Sequence, residues 1–131
     1  FPFVKTIDRN LPKTDMGWEI EPSGLTEAIN LVSLYAPDLP LYITENGMAS
    51  ANTITDEDRI EYYKDHLHEV AKAARNLPIK GYFAWSLLDN FEWALGYKKR
   101  FGLVHVDYKT QQRTKKDSFK WWQSELVRTS S

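Results

Sequence analysis

The chain has no cysteine, which excludes a disulfide framework and any thiolate nucleophile or metal ligand. It has no apolar run near the ~18 residues of a membrane span, and no signal peptide opens it. The opening Phe1-Pro2-Phe3-Val4 need not be a native start. These absences lead us to expect a cytoplasmic protein without a membrane partner. Charge of one sign is also missing. Lys and Arg number 17 against 18 Asp and Glu, interspersed, for a net charge of −1, which argues against a nucleic-acid partner. No internal repeat or low-complexity linker is present. What the chain has in quantity is aromatic rings: five Trp, seven Tyr and six Phe. Such rings are first of all core material, burying roughly 150–250 Å² each. They also stack on the C–H face of a pyranose, but composition alone favours the core reading. At 131 residues the chain is read as one segment, 1–131, of about one domain.

Residues 1–20 show no periodic pattern and read as a loop ending at Thr14-Asp15-Met16-Gly17-Trp18. A helix opens near Pro22, with Leu25, Ile29, Val32 and Tyr35 at helical spacing, and Pro37 and Pro40 end it. Leu41-Tyr42-Ile43-Thr44 reads as a buried strand that ends at Glu45-Asn46-Gly47. Thr55 is the expected N-cap of a second helix, with Asp56, Glu57 and Asp58 at its positive end and Ile60, Tyr63, Leu67, Val70, Ala71 and Ala74 as its apolar stripe. Ile79 to Ser86 reads as a second buried strand, followed by an aromatic loop to about Gly102. Leu103 to Tyr108 is a short extended piece with a turn at Lys109-Thr110. Thr114 is the expected cap of a last helix whose Phe119, Trp122 and Leu126 share a face, with Arg128 to Ser131 as a frayed tail.

Strands alternating with helices imply parallel pairing and a right-handed crossover. Two parallel strands leave edges and faces that need cover. The chain therefore reads as the tail of a larger α/β protein.

Glu45 stands just past a buried strand, where parallel α/β folds project their catalytic groups. In isolation such a residue is a solvated turn carboxylate. At a strand's C-terminal end before Asn-Gly it faces the ligand side. Trp85, Asp89, Glu92 and Trp93 follow the next strand, so adjacency would bring them into the same pocket. Carboxylates beside indoles suit sugar hydroxyls and ring faces, although Trp85 taken alone is more often core than platform. His66 and His68 are two apart on a helix and cannot chelate one ion. His105 reads as a loop or β-segment residue. Lys98-Lys99-Arg100 reads as a solvated basic run. Asp56-Glu57-Asp58 lacks the spacing and Gly of a calcium loop.

Leu41-Tyr42-Ile43-Thr44-Glu45-Asn46-Gly47 and the run from Gly81 to Trp93, GYFAWSLLDNFEW, closely resemble two signatures of glycoside hydrolase family 1, the β-glucosidases. Gly96 to Leu103, Gly17-Trp18-Glu19-Ile20 and Arg113 to Ser118 continue the resemblance. It covers essentially the whole chain, and only the family's C-terminal portion. It implies the last two β/α units, with the preceding helix, of a (β/α)8 TIM barrel. By the same resemblance Glu45 is the nucleophile of a retaining β-glycosidase and Trp85 the platform under the sugar. Glu92 binds the hydroxyls at positions 4 and 6, Trp93 donates to the position-3 hydroxyl, and Phe101 forms an aromatic wall. A carboxylate at Glu92 argues against the family's 6-phospho branch. No metal or organic cofactor is implied.

The sequence departs from the family in one respect that matters. The family's Asn-Glu-Pro segment, which holds the general acid/base, is absent, since Glu21-Pro22 lacks the Asn. The resemblance therefore implies activity only when a separate N-terminal portion of the barrel completes the chain, with β-glucosides, and also β-galactosides or β-fucosides, as substrates. The alternatives are an isolated folding fragment or a sugar-binding piece without catalysis.

Overall fold

A computed structural model describes residues 7–129 of the chain. The start of the first loop and Ser130 and Ser131 lie outside the described residues. The elements are α1 (Pro22–Tyr35), β1 (Leu41–Asn46), α2 (Glu57–Ala73), β2 (Ile79–Ala84), a 3-10 turn (Trp93–Leu95), β3 (Val104–Val106), β4 (Arg113–Lys115) and α3 (Asp117–Thr129). β1 and β2 pair in parallel, and among the described residues each keeps one open edge. A second, antiparallel pair, β3 with β4, was not expected from the sequence, which offered only the extended piece before the Lys109 turn. The first loop is also more ordered than its composition implied. Lys13 bridges Glu19, and Gly17 takes φ 77° in the turn between them.

The core is small and one-sided. Ile29 of α1, Ile43 of β1, and Val70 and Ala73 of α2 are buried together, with Leu25, Leu41, Leu77, Ile79 and Tyr82 packed against them. Strand residues alternate between faces, so Tyr42 and Phe83 point the other way and are more than half exposed. Thr26 Oγ1 donates to Glu69 Oε2 at 2.6 Å and ties α1 to α2. No helix among the described residues is long and apolar enough to cross a membrane.

Four expectations about the helices are corrected. The N-cap of α2 is Asp56 rather than Thr55, and its carboxylate does not cap its own helix. Instead it accepts the N–H of Ser118 (2.9 Å) and the Ser118 hydroxyl (2.6 Å), serving the first turn of α3 from a distance. That supply makes a Thr114 cap unnecessary, and Thr114 lies in β4. The buried face of α2 is Arg59, Tyr63, His66, Val70 and Ala73, with Ala71 and Ala74 exposed. Two polar side chains belong to this face because their hydrogen-bonding groups are met inside: Arg59 by carbonyls and Asp56, His66 Nδ1 by the Tyr62 carbonyl at 2.7 Å. The expected frayed end is helical as far as Thr129.

Candidate functional site

A cavity of about 510 Å³ opens at the C-terminal ends of β1 and β2. It is lined by all five residues assigned site roles from the sequence: Glu45, Trp85, Glu92, Trp93 and Phe101. Trp18, Asn46, Gly47 and Tyr62 complete the lining and had been given no site role. Trp18 carried a signal, since it stands in a segment that shares the family resemblance. Tyr62 carried none beyond being an aromatic next to the Tyr63 stripe.

Backbone contacts hold the two strand ends together. The Trp85 N–H donates to the Asn46 carbonyl at 2.8 Å. Gly47 then passes so close to Trp85 that a Cβ would lie 1.8 Å from the Trp85 carbonyl oxygen, a contact only glycine allows. The same oxygen accepts the Tyr63 hydroxyl at 3.0 Å. Phe101 is 3% exposed, and its ring lies 6.2 Å from that of Trp18. The carbonyls on either side of it, Arg100 and Gly102, accept hydrogen bonds from the buried Arg59 guanidinium at 2.6 and 3.0 Å. Glu92 Oε2 accepts from Asn90 Nδ2 at 3.1 Å. Trp93 sits at φ 43°, a left-handed conformation that costs a non-glycine residue about 1–3 kcal/mol. Hydrogen bonds from Glu92 N–H to Gly96 O (2.7 Å) and from Gly96 N–H to Trp93 O (3.1 Å) hold that turn, and the indole is 83% exposed.

Asp89 does not join this cavity. It is 4% exposed, and its carboxylate is consumed by Lys116 Nζ (3.0 Å), Arg100 Nη1 (3.0 Å) and the N–H groups of Gly102 (3.0 Å) and Val106 (3.3 Å). It lies five residues past the end of β2 at Ala84, where these contacts hold it beneath the loop rather than over the strands. Lys116 is fully buried beside it, and burial followed by the nearby Arg59 charge pulls its pKa below the usual lysine value. The basic run is not simply solvated either. Lys99 pairs with Asp15 at 2.9 Å, and Arg100 reaches Asp89 and the Val106 carbonyl (2.8 Å) while lying 4.3 Å over the Tyr108 ring. His66 is buried and His68 exposed on opposite faces of α2, and His105 Nδ1 in β3 lies 3.2 Å from Asp89. Among the described residues no three His, Cys, Asp or Glu side chains gather as a metal site.

Two carboxylates, Glu45 and Glu92, thus face a cavity walled by indole and phenyl rings. Carboxylates accept hydrogen bonds from neighbouring hydroxyls, and flat rings take the apolar faces of a sugar. The comparisons with known proteins point the same way. A bifunctional beta-D-glucosidase/beta-D-fucosidase of Bifidobacterium breve is 48% identical over 122 residues, 85% of this chain and 26% of that protein. A 6-phospho-beta-galactosidase of Staphylococcus aureus (strain JH9) is 41% identical over 134 residues, 95% of this chain and 28% of its own length. The solved family 1 b-glucosidase from Thermotoga maritima superposes with a TM-score of 0.88 at 48% identity, over 93% of this chain and 29% of that one. The chain thus spans under a third of the length of these relatives. The family model for glycosyl hydrolase family 1 matches residues 2–130, nearly the whole sequence. With that match added to an acid and a tryptophan-rich loop meeting across two parallel strands, the chain belongs to glycosyl hydrolase family 1.

Proposed function

We propose that the chain is the nucleophile-bearing part of a retaining β-glycosidase, with β1 and β2 as the last two strands of a (β/α)8 barrel and α1 as the helix before them. One observation carries the reading: a single cavity gathers Glu45 with Trp85, Glu92, Trp93 and Phe101. In the complete barrel a Glu45 carboxylate oxygen bonds to the anomeric carbon as the bond to the leaving oxygen breaks. A second Glu, supplied by the N-terminal portion, gives that oxygen its proton. The same Glu then deprotonates a water that displaces Glu45, so the configuration is retained, which requires the two carboxyl groups to stand roughly 5–5.5 Å apart. Trp85 stacks under the sugar, Glu92 and Trp93 hold its hydroxyls, and Phe101 closes the wall. The substrates are β-glucosides, with β-fucosides and β-galactosides accommodated. The charge of Glu92 opposes a phosphate on the sugar.

A barrel of this kind takes about 250 residues, so the chain alone is inactive. The test is an aryl β-glucoside assay of the chain alone, of the N-terminal portion alone, and of the two combined. Turnover in the combination only is the expected result. No turnover in a correctly assembled barrel contradicts the proposal, and binding of glucose without turnover favours a sugar-binding piece.

A further inference from the structure

Strand periodicity alone would aim Glu45 the wrong way. Ile43 is buried against the helices, and a residue two further along a regular strand shares its face. On β2, Tyr82 packs on the helix side and Phe83 on the other, which places Trp85 on the Phe83 side. In unbroken register Glu45 and Trp85 would therefore stand on opposite faces of the sheet. The register is broken here. Ile43 pairs with Tyr82 and Asn46 with Ala84, so Thr44 and Glu45 together oppose Phe83 alone. This extra residue is a β-bulge, and Thr44 and Glu45 are exposed in succession. The bulge turns Glu45 to the side of Trp85 and Asn46 toward the helices.

A bulge gives up ladder hydrogen bonds and needs other support. Asn46 provides it through three contacts. Its carbonyl takes the Trp85 N–H, its Oδ1 accepts the Tyr82 hydroxyl at 2.5 Å, and its Nδ2 donates to the Tyr62 hydroxyl at 3.2 Å. Both phenols are themselves fixed. Tyr82 stacks on Trp122 of α3 at 5.9 Å, and Tyr62 stacks on His66 at 3.8 Å. Burial pushes the Tyr82 hydroxyl far above its usual pKa, so it stays a donor.

We propose that Asn46 is a positioning residue. Held between Tyr82 of β2 and Tyr62 of α2, it locks the Thr44–Glu45 bulge and so the aim of the Glu45 carboxylate beside Trp85. The inference rests on the reading of Glu45 as nucleophile. An Asn serves where a single side chain must both accept and donate; a Leu of similar shape does neither.

The test uses the complete, active barrel and a β-glucoside fluorinated beside the anomeric carbon, which traps the glycosyl-enzyme. Asn46→Leu should lower the first-order inactivation rate about 100-fold, the scale of an ångström-sized misplacement. The inactivator's binding constant should change less than about threefold, because the sugar-binding rings are untouched. Tyr82→Phe and Tyr62→Phe, which each delete one hydrogen bond and keep the ring, should slow inactivation about three- to tenfold without loss of binding. They also keep the test decisive if Asn46→Leu does not fold. Wild-type inactivation rates in both phenol variants, or in Asn46→Leu, with the label on Glu45, overturn the positioning role. A wild-type label on another residue overturns the reading of Glu45, and this inference with it.

Discussion

Around Asp56 and Asp89 buried charges are met by partners from within the chain, whereas along β1 and β2 large apolar side chains stay uncovered. Arg59, Asp56, Lys116 and Ser118 are almost wholly inaccessible, yet each is bonded to a neighbour no further than a loop or helix away in space. Tyr42 and Phe83 are 55% and 57% exposed on the opposite sheet face. The difference follows from what each kind of burial demands. An unpaired buried charge costs several kcal/mol, so its partners must be built in where it is buried. An apolar face needs only area, which another part of a larger protein can supply. The loop region beneath the rim is thus satisfied from within the chain, and the strand pair leaves an apolar face uncovered.

This contrast can be broken or sharpened by substitution. The largest stability effect should come from Asp89→Ala, which strands Lys116 and Arg100. A loss of about 3–5 kcal/mol is expected in the complete barrel, by denaturant unfolding. A loss below 1 kcal/mol would mean that water, not the chain, satisfies these groups. Arg59→Ala should cost a similar amount, and combining it with Asp56→Ala should cost clearly less than the sum, because each single change leaves a charge behind. Phe83→Ala should act differently in the two settings. It should cost under about 0.5 kcal/mol in the isolated chain and about 3–5 kcal/mol in the barrel, where this face becomes core. Equal costs in both would contradict the view that the sheet is unfinished.

The smallest effect concerns pH. Burial holds His66 below its usual pKa of 6.5, so it is neutral in the fold. Below 6.5 the unfolded chain binds a proton that the folded chain refuses, and stability therefore falls as pH drops through that value. His66→Gln should flatten that part of the stability curve; an unchanged slope would assign it to other groups.

The helices and the two parallel strands were legible in the sequence because apolar spacing and Pro punctuation mark them directly. Thr55 and Thr114 misled because local capping letters cannot show that Asp56 reaches across to Ser118. The face of α2 was read only in part, with Tyr63 and Val70 on it but Arg59 and His66 missed, because those two look like surface residues until their partners are known. Asp89 was grouped with Glu92 for the same reason: a carboxylate in an aromatic loop does not announce that two cations and two N–H groups already hold it. The bulge at Thr44–Glu45 had no signal at all, since an extra residue in a short strand changes pairing and not composition. Glu45, Trp85, Glu92 and Trp93 were legible from their places after two adjacent strands, whereas Phe101 and the individual roles came only with the family resemblance.

The most direct measurement is the location of the covalent adduct formed when the complete barrel is treated with the fluorinated glucoside, digested and mapped by mass. The account predicts a single modified peptide bearing the sugar on Glu45, lost in Glu45→Gln. A sugar ester on Glu92 or on any residue outside this chain would contradict it.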